Sequence, residues 1–272
     1  MPLTPYERQV QQEIMAWREQ TPEGVYQVLS WLNVPVEQVL SYVVPESVLR
    51  QAEGLLLQGL SALQRVSTWL QTEEVILQEA NKQGLTVQSV EELRAFPLEQ
   101  LDAFSRSMIT PHAIIAAVEG GGLGLGGGML AMVDMPLLLT VNFRLIQQIG
   151  AAYGFPISGE AYRPLVLTLL NAAVSGSRQA TEEAVREVSV AAALLASGVS
   201  YRGRQPAGVL KEQSRHLPRE VVKHLVRKKA AQWIPVMGAL VGAGVNYWFT
   251  HEVAHTAGML FRMLYLEYKE RV

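Results

Sequence analysis

Residues 113–136 read AIIAAVEGGGLGLGGGMLAMVDMP, and how this stretch is read decides the fold. Seven of the nine residues from Gly120 to Gly128 are glycine. Gly122, Gly124 and Gly127 formally spell the dinucleotide fingerprint G-x-G-x-x-G. No strand pattern precedes them and no acidic residue stands about 20 positions on, as that site requires. A G-x-x-x-x-G-K-[ST] loop is absent from the chain, which argues against a P-loop nucleotidase. The spacing with physical content is Gly120, Gly124 and Gly128. Steps of four put bare backbone on one helix face, where a second helix can approach closely. A second row, Gly238 and Gly242 followed by Asn246, lies in the uncharged run Ala230–Phe249. Glycine inside a helix costs about 1 kcal/mol relative to alanine, so rows this dense imply compensating close packing or reversible rearrangement. The runs Ala113–Val133 and Ala230–Phe249 both reach the roughly 20 residues that span a bilayer. They are Gly- and Ala-rich, however, and the first carries Glu119, which favours a buried core helix over a span.

The remainder reads as helix. Thr4-Pro5-Tyr6-Glu7 is a capping box with proline at the first helical position. Val10, Ile14 and Trp17 follow at helical spacing. Between Pro45 and Leu70 an apolar stripe recurs through Val48, Ala52, Leu56, Leu60 and Leu63. Asn81-Lys82-Gln83-Gly84 is a helix stop. No period-2 strand or hairpin turn stands out, so the sequence predicts an all-α, single multi-helix bundle over residues 1–272 with central Gly/Ala-rich apolar helices. Within it, 1–110 form an acidic amphipathic half and 111–272 an apolar Gly-rich half.

The chain has 272 residues, 49% hydrophobic and 18% charged, with no cysteine. These values exclude an intrinsically disordered chain, a disulfide scaffold and thiolate chemistry. The N-terminus lacks a basic region followed by an apolar one, so a cytoplasmic location is expected. The net charge of −2 hides a polarised layout. Residues 1–110 carry seven basic and fourteen acidic groups, whereas residues 201–230 carry nine basic and two acidic. Arg202, Arg204, Lys211, Arg215, Arg219, Lys223, Arg227, Lys228 and Lys229 supply that basic run. One reading is a solvated face or a partner for the acidic half. The other is contact with an anionic membrane surface, for which Arg215, Arg219, Lys223, Arg227, Lys228 and Lys229 are the lipid-binding candidates. Nucleic acid is not expected, because no aromatic residue is interleaved among the basic ones.

Glu119, Asp134, Asn142, Arg144 and Asn171 are isolated in apolar sequence. Asp134, two residues before Pro136, suits a helix N-cap. Arg144 is a candidate ion-pair partner for Glu119 or Asp134, and these three are expected to be buried. His251-Glu252-Val253-Ala254-His255 fits H-E-x-x-H, in which two imidazoles on one helix face hold zinc and the glutamate acts as general base. Phe261 occupies the position where a third histidine would stand. Glu267 lies about 18 Å along the same helix from His255, too far to share a metal. His112, His216 and His224 are remote candidates.

Several blocks resemble the EcsC protein family: Tyr6-Glu7 with Glu13 and Trp17; Ala117-Val118-Glu119-Gly120 leading to Asp134-Met135-Pro136; Asn142 to Ile149 with Tyr153-Gly154-Phe155; and Ile234-Pro235-Val236-Met237-Gly238-Ala239 with Gly242, Asn246-Tyr247, Arg262 and Glu267. The resemblance implies an all-helical protein related to a product of a bacterial operon that also encodes an ABC transporter, and it carries no biochemical activity with it. Association with such a transporter follows only by family analogy. The expectation is a non-enzymatic helical interaction protein, without cofactor, at the cytoplasmic membrane face, its partner an anionic membrane surface or a membrane protein. The alternatives are a zinc metallohydrolase using His251, His255 and Glu252, and a carrier of a lipid-like apolar ligand.

Overall fold

The computed structural model describes residues 2–19, 50, 53–54, 57, 66–109, 134–157, 162–198, 218, 221 and 238–272. Among them there are helices and turns and no strand, as the sequence predicts. Helix α1 is Pro5–Glu19, α2 is Val66–Lys82, and a 3-10 helix spans Val90–Ala95. Residues 98–109 form α3. Then follow α4 (Asp134–Ala152), α5 (Arg163–Ser175), α6 (Arg178–Ala196) and the 34-residue α7 (Gly238–Arg271).

Local chemistry sets these boundaries. The capping box at the start of α1 forms in both directions: the Thr4 amide donates to Glu7 Oε2 at 2.9 Å, and the Glu7 amide donates to Thr4 Oγ1 at 3.1 Å. α2 ends where Gly84 takes a φ of +82°. Ser177 caps α6 by accepting from the Ala180 amide. Gly176, in the left-handed region, ends α5 immediately before it, so α5 and α6 fold back as a tight pair.

Helix α7 is the axis of the bundle, packing against α1, α4, α5 and α6. It runs antiparallel to α1, since Glu7 meets Lys269 and Glu13 meets Arg262. It runs parallel to α4, since Asn142 meets Thr250 and Gly150 meets Phe261. Phe104, Phe143, Phe155, Phe249 and Phe261 fill the core with Leu, Ile and Ala from every helix. The apolar Gly/Ala-rich helix beginning at Gly238 is thus central. Gly238, Gly242 and Asn246 lie in its first turns. Gly120, Gly124, Gly128 and Glu119 lie outside the described residues. Among the described residues no helix is long and apolar enough to cross a membrane.

Two glycines are required by close approach. A Cβ at Gly150 would sit 2.9 Å from the Phe261 ring, where α4 and α7 touch. Gly154 has φ +83°, and a Cβ there would lie 2.8 Å from the Arg94 backbone nitrogen. Gly154→Ala therefore combines a left-handed alanine with a backbone clash and is expected to destabilise the fold by about 1–3 kcal/mol, read from the urea midpoint at unchanged slope.

Candidate functional site

The densest polar chemistry in the described structure gathers on Asp102, an α3 residue that is 1% exposed. Its Oδ1 accepts from the Tyr153 hydroxyl at 2.6 Å and from Arg262 Nε at 2.9 Å. Its Oδ2 accepts from the Tyr6 hydroxyl at 2.6 Å and lies 2.8 Å from Arg262 Nη2. A carboxylate has about four acceptor sites, and all four are filled here, two by a bidentate guanidinium. Arg262 also reaches Glu13 on α1 through Nη1 at 3.2 Å. Four separate elements are fastened at one point: α1, α3, the turn after α4, and α7.

The electrostatics fit a clamp rather than an acid–base centre. Burial and the Asp102 carboxylate push Tyr6 up to about 12, and the same two causes raise Tyr153 further. Both phenols stay protonated and donate. Burial alone would lower the Arg262 pKa, but the hydrogen bond and charge of Asp102 outweigh it and hold the guanidinium charged. Asp102 has no acceptor site left with which to take a substrate proton.

Beside this clamp lies a cleft of about 1020 Å³ between the start of α1, the 3-10 helix with the loop after it, and the end of α7. Tyr6, Glu7, Arg94, Phe96, Tyr268 and Lys269 are among its lining residues. Buried Glu7 is matched by the Lys269 ammonium, 2.7 and 2.9 Å from its two oxygens. Burial opposes the Glu7 charge, but hydrogen bonds from Lys269 and Thr4 prevail and lower its pKa. Arg94 Nε donates to the Gly154 carbonyl at 2.6 Å. Its guanidinium carbon lies 5.1 Å from the Phe155 ring and 5.2 Å from the Tyr268 ring.

The residues singled out from sequence fare unevenly. Asn142 and Asn171 are buried. Asn142 Nδ2 donates to the Leu138 carbonyl and to Thr250 Oγ1. Arg144 is exposed, a correction to its expected burial: on α4, Leu145, Ile146 and Ile149 take the inner face and turn residue 144 to solvent. It is therefore no buried partner for Asp134, which begins α4. His251 and His255 lie on α7 with both residues exposed, and His251 stacks on Tyr247 with ring centroids 6.3 Å apart. The His255 pKa is lowered, by desolvation first, with the His251 and Arg262 charges acting in the same sense and Glu252 opposing. Phe261 is buried apolar core. Among the described residues no group of three His, Asp or Glu side chains could hold a metal. His112, His216 and His224 lie outside them, as do Arg215, Arg219, Lys223, Arg227, Lys228 and Lys229.

Three of the blocks that carried the resemblance thus converge in space. Tyr6, Tyr153 and Arg262 meet on Asp102, Arg262 also reaches Glu13, Glu7 pairs with Lys269 alongside, and Gly154 and Phe155 position Arg94. The family model of the EcsC protein family matches residues 8–266. The chain belongs to the EcsC protein family. It is 25% identical over 262 residues to a Bacillus subtilis (strain 168) protein named uncharacterized protein YdbA, covering 92% of this chain and 89% of that one. It is 24% identical over 175 residues to protein EcsC of the same strain, covering 64% of this chain and 67% of that one. No solved structure matches it. In this member of the EcsC family, Asp102 and Arg94 are the residues that sequence reading missed as site residues. The rarity of aspartate, two in the whole chain, was the one available signal for the first. Arg94 sits in VEELRA, which reads as a solvated turn.

Two outcomes follow from this geometry. Asp102→Asn takes the buried carboxylate away from the largely buried Arg262 guanidinium, leaving it only the partly exposed Glu13 among its carboxylate partners, and is expected to cost about 3–5 kcal/mol, whereas Tyr153→Phe removes one hydrogen bond and costs about 1 kcal/mol; chemical denaturation separates them. The lowered Glu7 pKa contributes stability that is fully present above its ordinary value of 4.5 and is lost as pH falls through the folded value. Glu7→Gln removes that contribution, so the stability gap between wild type and variant should narrow steadily below pH 4.5 and stay level above it.

Proposed function

We propose that this EcsC-family chain is a non-enzymatic helical interaction protein acting at the cytoplasmic membrane face. The observation that carries the reading is the crowding of nine of the 23 basic residues into 202–229 of a chain whose first 110 residues are strongly acidic. Positive charge that attracts anionic lipid is thereby concentrated in one stretch of sequence, worth about 1 kcal/mol for each basic residue that comes near the headgroups. The Asp102 clamp supports a binding rather than a catalytic role, because its acceptor sites are consumed by the protein's own donors.

Vesicle flotation tests the reading. Full-length protein should float with vesicles rich in phosphatidylserine and stay at the bottom with pure phosphatidylcholine. Lys228→Gln with Lys229→Gln should weaken partitioning roughly thirty-fold at low salt, the equivalent of about 2 kcal/mol. Equal flotation with both vesicle types, or no effect of the double substitution, overturns it.

A further inference from the structure

The cleft beside the clamp holds an unused cation. Among the described residues two cationic side chains line it, Arg94 and Lys269. The Lys269 charge is spent on Glu7, with both carboxylate oxygens within 2.9 Å. Arg94 differs: its Nε donates to a backbone carbonyl and its charge rests near two aromatic rings, but it has no carboxylate partner among the described residues. Neither terminal nitrogen makes a hydrogen bond there. The guanidinium is nonetheless held in place. The Gly154 carbonyl fixes its Nε edge, and Phe155 and Tyr268, edge to face at 6.0 Å, flank it. A planar cation fixed at one edge, with paired N–H donors left over, is the geometry that recognises an oxyanion with two parallel hydrogen bonds. Its rotamer cost is already met by the fold, which is how preorganisation raises affinity.

The rest of the lining is amphipathic. Phe96, Pro97, Tyr265 and Tyr268 supply apolar surface next to Arg94. The Tyr265 hydroxyl donates to the Phe96 carbonyl at 2.9 Å and holds that wall. Of the two glutamates in the lining, Glu7 is neutralised by Lys269 and Glu99 is exposed. A volume near 1020 Å³ suits a small organic ligand. We infer that this cleft binds a short amphiphile with a phosphate or carboxylate headgroup, the headgroup on the terminal nitrogens of Arg94 and the apolar part along Phe96, Pro97 and Tyr268. None of the residues named here belongs to the basic segment 202–229, so this inference does not rest on the proposed lipid contact.

Titration calorimetry on the full chain tests this with dihexanoyl phosphatidic acid kept monomeric, hexanoate, and neutral dihexanoylglycerol. The two anionic probes should bind saturably at one site and the neutral one should not. Arg94→Lys keeps the charge but loses the fork, and should weaken binding roughly tenfold or more. Ala95→Trp, at an exposed lining position, should block the cleft while melting temperature and circular dichroism remain those of the wild type. Displacement of the monomeric probe by phosphatidic acid vesicles assigns a bilayer source to the ligand, and binding that vesicles leave untouched assigns a soluble one; both support the site. No binding of either anion, or binding unchanged in folded Ala95→Trp protein, overturns it. Because the probe is monomeric, Lys228→Gln with Lys229→Gln should leave it bound, so failure here is distinct from failure of vesicle flotation.

Discussion

A single buried carboxylate sets the terms for the described bundle. Asp102 brings a negative charge into a helical core, where an unpaired ion would be prohibitively costly. The cost is offset only because Arg262 pairs with it through two nitrogens and two phenols fill its remaining acceptor sites. Those donors come from positions 6, 153 and 262, so the ion pair cannot be satisfied until α1, the turn after α4 and α7 have all docked. Nonspecific burial would tolerate many registers of helix against helix. This arrangement tolerates one, because a shift of one residue would leave a charge or a hydroxyl without its partner.

The same register carries outward to the cleft. With α1 held antiparallel to α7 by the Glu13–Arg262 contact, Glu7 falls beside Lys269 one to two turns further along. With Tyr153 drawn onto Asp102, Gly154 and Phe155 follow immediately and present a carbonyl and a ring to Arg94. The left-handed conformation at Gly154 reverses the chain at that point and leaves room for the Arg94 backbone. Clamp and cleft are thus one construction, in which a buried ion pair fixes helices whose ends then form a half-open, partly apolar hollow with a preset guanidinium.

Much of the fold was legible in the residues. The Thr4–Glu7 box, the Gly84 stop and the 3.6-residue spacing of Val10, Ile14 and Trp17 are local signals, and helices form largely from local rules. The site was less legible. His251 and His255 form the most conspicuous motif in the chain, and both are exposed on α7 with no third ligand among the described residues. Arg144 looked buried because its neighbours are apolar, yet one step around the helix puts it in solvent. Asp102, by contrast, sits in unremarkable amphipathic sequence, and its importance comes from partners 51 to 160 residues away.

The sequence by itself determined the all-helical class, several helix ends and the segregation of charge, because capping, periodicity and composition act over a few residues or over simple sums. Only the tertiary structure decided which polar groups pair, which face of α4 is dry, and where a cleft opens. Those outcomes depend on helix register and direction across the bundle, and a linear spacing of residues does not encode a distance between helices.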